Sequence, residues 1–132
     1  MNEEFAQKVL IVDDESHIRA FLRLVVGELG AVDVREAGDG PNAMLLYKHF
    51  EPDLVLLDVN LPGEDGLTIL GKLRAFDPAA RVVMMTAVAS REMVEKCIAG
   101  GVLNYIRKDL PRAQLLPLLR ETWAAAVAKQ SP

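Results

Sequence analysis

Four short apolar runs constrain this chain most, because each one ends on a polar residue that a buried strand seldom holds. Val9-Leu10-Ile11-Val12 runs into Asp13-Asp14, and Leu54-Val55-Leu56-Leu57 runs into Asp58. Val82-Val83-Met84-Met85 stops at Thr86, and Val102–Ile106 reaches Arg107-Lys108. Near-continuous apolar runs of this length suit strands covered on both faces. Between them lie longer stretches with helical spacing. Ser16 to Leu29 places Ile18, Phe21, Leu22, Val25 and Leu29 on one side and stops at Gly30. Residues 32–37 alternate and read as a further strand. Gly38-Asp39-Gly40 is a turn, and Pro41 suits the first position of a helix that Pro52 breaks. Leu67 to Phe76 is helical after the loop Leu61–Gly66, Ser90 suits the N-cap of a helix to Ala99, and Gly100-Gly101 ends it. The last helix is expected over 112–128, with Pro117 either shifting its start or kinking it.

Five strands alternating with five helices imply an α/β domain: a doubly wound parallel sheet with helices on both faces. The 132 residues suit a single domain, with a core expected over about 8–128. Parallel strands all point one way, so the polar ends share the carboxyl edge, where open α/β sheets bind ligands. Three carboxylates (Asp13, Asp14, Asp58), a hydroxyl (Thr86) and an ammonium (Lys108) should therefore converge. Clustered carboxylates repel one another, and a divalent cation relieves this. Mg²⁺ suits one or two carboxylates together with waters and phosphate oxygens. The set suffices for phosphoryl transfer to a carboxylate. A single Asp at a strand end is often only a helix cap or dipole partner, and Asp14 or Glu15 alone fits that. Four strand ends together do not.

Composition narrows the remaining classes. Acids outnumber bases 19 to 15, against direct nucleic-acid binding. One cysteine, Cys97, excludes an internal disulfide framework and fits a reducing, cytoplasmic compartment. With two histidines, His17 and His49, a bound metal must take oxygen ligands. No run approaches the roughly 18 apolar residues of a spanning helix, and the start Met1-Asn2-Glu3-Glu4 lacks a basic export signal. His17 reads as a surface residue and Cys97 as packing or simple surface. Gly38-Asp39-Gly40 lacks the longer glycine pattern of a phosphate loop. The stripe of Leu115, Leu116, Leu119, Trp123, Ala126 and Val127 has two readings: packing on the sheet, or a dimer or partner surface.

In Val9–Glu15, Asp53–Gly63, Gly66-Leu67, Met85-Thr86-Ala87 and Gly100 through Tyr105 to Lys108, the sequence resembles the receiver domains of two-component response regulators. The resemblance spans residues 8 to about 128 and implies a flavodoxin-like fold of strand order 2-1-3-4-5, with the site between strands 1 and 3. It implies Asp58 as phosphoacceptor. Mg²⁺ would be held by Asp13, Asp14, Asp58 and the backbone carbonyl of Asn60. Thr86, Ala87 and Lys108 would contact the phosphoryl group, and Thr86 and Tyr105 would form the switch. From the strand pattern alone, Tyr105 fits core and switch equally. Asn60 and Val88 flank the site and are expected to set the phosphoryl lifetime. The implied donor is a histidine kinase or histidine phosphotransfer protein. Output would pass through the face of helix 4, strand 5 and helix 5 to a protein partner, through a dimer of helices 4 and 5, or through an output domain absent from this chain.

Departures and alternatives complete the reading. The family usually has proline after this lysine, often through a cis bond, whereas here Asp109 follows Lys108. A cis non-proline bond costs roughly 2.5–4 kcal/mol, so a trans bond or a rearranged loop is expected, with an added negative charge near the site. Gly101 replaces the usual alanine. An aspartyl-phosphate phosphatase usually has a second Asp two residues after its nucleophile, where this chain has Asn60. A flavin-binding domain would need a Ser/Thr/Gly-rich loop in place of Asp13-Asp14-Glu15. A scaffold that kept the fold and lost phosphorylation is argued against by the complete acid set and kept open by Asp109.

Overall fold

The computed structural model describes residues 5–87 and 90–130. Its elements are β1 (Lys8–Val12), α1 (Ser16–Leu29), β2 (Asp33–Ala37), α2 (Gly40–Phe50) and β3 (Leu54–Asp58). These are followed by α3 (Gly66–Phe76), β4 (Val82–Thr86), α4 (Arg91–Ala99), β5 (Asn104–Arg107) and α5 (Arg112–Gln130). The strands form one parallel sheet in the order β2-β1-β3-β4-β5.

The apolar runs of β1, β3 and β4 bury both of their faces, and period-2 alternation divides them between two cores. Leu10, Val12, Val55, Leu57, Val82 and Met84 pack beneath α2, α3 and α4, with Ala43, Tyr47, Ile69, Leu73 and Cys97. Val9, Ile11, Leu54, Leu56, Val83 and Met85 pack on the other face with Leu22 and Val26 of α1 and Leu115 and Leu119 of α5. Trp123 packs against this second core, 6.0 Å from the Phe5 ring. The α5 stripe is therefore largely packing, with Val127 left exposed. Cys97 is buried, and burial pushes its thiol up.

Helix ends follow local chemistry. Ser90 Oγ accepts from Met93 N–H at 3.1 Å and caps α4. Asp39 and Asp65 cap α2 and α3 the same way, at 2.9 Å each. Gly30 ends α1 at φ 127°, a left-handed conformation that suits glycine. Pro117 does not shift the start of α5, whose first turn closes on the Pro111 carbonyl at 2.9 and 3.0 Å. Pro117 and Ala113, four residues earlier, are both exposed, so the forfeited helical bond falls on the solvent side. No helix among the described residues is long and apolar enough to cross a membrane.

Candidate functional site

β1 pairs with both β2 and β3, so the chain reverses direction across the sheet at this strand. The crevice beyond the carboxyl ends of β1 and β3 is where such a sheet can hold a ligand. Asp13 leaves β1 there and Asp58 closes β3. Both are buried, at 1% and 2% exposure. Asp14, next in the chain, is exposed. Carboxylate oxygens of Asp13, Asp14 and Asp58 all lie within 4.8 Å of one another.

Lys108 joins this group from the end of β5. Its Nζ donates to Asp13 Oδ2 at 2.8 Å and to Asp58 Oδ2 at 3.0 Å. The backbone explains its reach, because Lys108 N–H donates to the Thr86 carbonyl at 2.8 Å, tying the β5 end to the β4 end. No cis peptide bond occurs among the described residues, so the Lys108–Asp109 bond is trans, as expected. Asp109 does not turn its charge on the cluster. It accepts two hydrogen bonds from the exposed Arg107 guanidinium, at 3.0 and 2.7 Å.

The remaining contacts shape Asp13 and Asp58. Glu15 N–H donates to Asp13 Oδ1 at 2.8 Å, and Asn60 N–H to Asp58 Oδ1 at 3.1 Å. Thr86 is buried at the end of β4, Ala87 beside it is exposed, and Val88 lies outside the described residues. Gly66 opens α3 against the end of β3, its N–H donating to the Val59 carbonyl at 2.6 Å. A Cβ at Gly66 would lie 2.4 Å from the Asp58 carbonyl oxygen, so this approach needs glycine. Tyr105 is half-buried, packs against the core beneath α2–α4, and lines a groove of about 510 Å³ with Val94, Ile98 and Arg107. His17 is exposed, its Nε2 3.9 Å from Glu15, as a surface residue would be.

Electrostatically the cluster is acid-rich. Burial pushes the Asp58 carboxyl above its ordinary value, and the Asp13 charge adds to this. Hydrogen bonds from Lys108 and Asn60 N–H oppose the rise without cancelling it. Burial works against the charge of Lys108, but its bonds to Asp13 and Asp58 outweigh it and hold its pKa up. Three acids against one lysine leave negative charge uncompensated. The donors are all oxygens, which fits a hard cation such as Mg²⁺. A buried, nucleophilic carboxylate beside an ammonium can accept an electrophilic phosphoryl group.

Sequence reasoning missed Arg19. Its Nη1 donates to the Asp13 carbonyl at 2.7 Å and its Nε to Glu36 at 2.9 Å. The available signal was a basic pair, Arg19 and Arg23, at helical i,i+4 spacing just after the acid pair.

Comparison with known proteins agrees with this fold. The family model of the response regulator receiver domain matches residues 9–120. The chemotaxis protein CheY of Halobacterium salinarum is 30% identical, over 91% of this chain and 99% of its own length. CheY of Bacillus subtilis is 32% identical over 89% and 98%. The crystal structure of the CheX–CheY–BeF₃–Mg²⁺ complex from Borrelia burgdorferi matches with a TM-score of 0.80 at 34% identity, covering 86% of this chain and 87% of that one.

Proposed function

This chain belongs to the response regulator receiver domain family, and on that premise we propose that it is a Mg²⁺-dependent switch whose phosphoacceptor is Asp58. The observation that supports the assignment most directly is Lys108 Nζ bridging the buried Asp13 and Asp58 within a three-carboxylate cluster. The donor is a phosphohistidine of a histidine kinase or histidine phosphotransfer protein. An Asp58 oxygen attacks phosphorus, a P–O bond forms, the P–N bond breaks, and the imidazole leaves with its electron pair and takes up a proton.

Asp13, Asp14, Asp58 and the Asn60 carbonyl would hold the metal. Bound Mg²⁺ supplies charge neutralisation for the phosphoryl oxygens and for the acids. Asp58, whose charge is opposed chiefly by burial, is the member most affected by that change. Lys108 exchanges its contact with the free Asp58 carboxylate for one with the phosphoryl oxygens, and the Thr86 hydroxyl donates to the same group. Ala87 is small and leaves the approach open. Thr86 and Tyr105 then shift together, and the groove of Val94, Ile98, Tyr105 and Arg107 changes its affinity for a protein partner. Output runs through this α4–β5–α5 face, whether to a separate protein or to a second copy of the chain.

Radiolabel transfer from candidate histidine kinases, profiled with and without chelator, tests the proposal. Transfer that needs Mg²⁺ and vanishes in Asp58→Asn is expected. Full labelling of Asp58→Asn would refute the acceptor assignment.

A further inference from the structure

The peptide between Asp13 and Asp14 joins a buried acid to an exposed one, and its orientation decides where the Asp14 carboxylate points. That peptide is planar, so holding its carbonyl oxygen orients the whole unit. The oxygen belongs to Asp13, and Arg19 Nη1 holds it at 2.7 Å. The rest of Asp13 is fixed too. Its N–H donates to the Ala37 carbonyl at 3.0 Å, and its carboxylate accepts from Glu15 N–H and Lys108 at 2.8 Å each.

Arg19 is itself braced against the edge strand. Its Nε donates to Glu36 Oε1 at 2.9 Å, while Arg23 Nε donates to Glu36 Oε2 at 2.6 Å. Arg23 also reaches the Val34 carbonyl at 3.0 Å. Burial works against the Glu36 charge, but the two guanidinium groups outweigh it and hold the carboxyl low. The planar fork of Arg19 thus spans a β2 carboxylate and a β1–α1 carbonyl together, which a lysine ammonium cannot do in the same geometry.

We propose that Arg19 is a positioning residue for cation binding: through the Asp13 carbonyl it sets the Asp13–Asp14 turn so that Asp14 faces the pocket. The proposal rests on the reading that this pocket takes Mg²⁺. It predicts a sign that simple Coulomb reasoning reverses. As a nearby positive charge Arg19 would repel Mg²⁺, and removing it would tighten binding. As a brace, its loss weakens binding.

The test uses the full chain and Mg²⁺ alone, by calorimetric titration, with Arg19→Lys and Arg19→Gln. Arg112→Ala, which breaks an exposed α1–α5 ion pair to Glu28 and removes no contact of the Asp13–Asp14 turn, is the control. Both Arg19 variants should bind Mg²⁺ roughly tenfold more weakly, the usual scale for groups behind a metal ligand. In metal-free protein, the Glu15 amide should exchange its hydrogen faster in both variants. Arg112→Ala should match wild type in both readouts. Folded Arg19 variants that bind Mg²⁺ as tightly as wild type, or more tightly, would overturn the role of Arg19. Absence of Mg²⁺ binding by the wild-type chain would overturn the reading of the pocket itself, and unchanged Glu15 exchange would overturn the brace independently.

Discussion

Asp58→Asn should make the metal-free protein more stable, although it removes a buried hydrogen-bonded charge. The oxygens of the three acids lie within 4.8 Å of one another, and unit charges at that separation repel by about 3–4 kcal/mol at an effective dielectric near 20. Lys108, 3.0 Å away, returns about 5–6 kcal/mol on the same scale. Asp14 adds a weaker repulsion because it is exposed. The pairwise contributions therefore nearly cancel. What remains is the desolvation of a carboxylate 2% exposed, so the neutral amide should gain roughly 1–3 kcal/mol. The asparagine oxygen still accepts from Asn60 N–H, and its amide can donate to Asp13 once the Lys108 ammonium, which it cannot accept from, turns to Asp13 alone. For a chain of this size the gain corresponds to a Tm rise of roughly 3–10 °C.

The assay is thermal unfolding of both proteins in chelator at low salt across pH. The folded pKa of Asp58 is raised, so its ionisation removes stability as pH climbs from the unfolded value, about 3.9, through the folded one. The advantage of the variant should be small in acid, grow across that window, and level off above it. Adding Mg²⁺ should stabilise wild type by mass action and narrow the gap. A variant less stable than wild type at neutral pH in chelator, or a gap independent of pH, would refute the reasoning.

Three other outcomes are expected. Gly66→Ala places a Cβ 2.4 Å from the Asp58 carbonyl oxygen and 2.8 Å from Val59 Cα. It should cost roughly 1–3 kcal/mol in urea unfolding and lower Asp58 labelling, and full stability would mean that the end of β3 yields freely. Lys108→Met leaves Asp13 and Asp58 without their cation and should destabilise by roughly 3–5 kcal/mol. Because the folded pKa of Lys108 is raised, wild type should keep this stability below about pH 10.4 and lose it above, and denaturation across alkaline pH checks the window. Asp109→Ala should leave Tm nearly unchanged, since its pair with Arg107 is solvent-exposed, and a large drop would show that this pair fixes the Lys108 turn.

Strands β1, β3 and β4 were legible because both of their faces are buried, which writes a continuous apolar run into the sequence, whereas the edge strand β2 showed only as alternation. Their shared direction brought Asp13, Asp58, Thr86 and Lys108 to one edge without any knowledge of contacts. The difference between Asp13 and Asp14 was not legible. Two adjacent acids look equivalent in a sequence, yet one is buried under Lys108 and the other lies exposed at the rim of the same cluster. The pairing of Asp109 was not legible for a related reason. Its charge is near the site in sequence, but the turn aims it at Arg107. The Arg19 contact uses a backbone carbonyl, a group every residue carries, so no residue type advertises it. Pro117 lies within a helix whose affected turn faces solvent, and hydropathy alone does not say which turn that is.

The electrostatic imbalance gives the proposed switch its direction. A pocket with equal charges of each sign would be stable and indifferent to a new anion. This one holds three acids against a single half-buried lysine, so on the proposed reading a phosphoryl group enters together with a cation, and Lys108 serves it by loosening its hold on Asp58. Lys108 is not free to move alone. Its backbone is bonded to Thr86, and its chain neighbour Arg107 lines the same groove as Tyr105. A change of partner at Nζ is therefore transmitted to the β4 and β5 ends, the two strands that lead to the proposed output face. The desolvation cost of the buried Asp58 carboxylate in the resting protein, which Asp58→Asn should recover as stability, is on this reasoning part of the free energy that makes the resting state responsive.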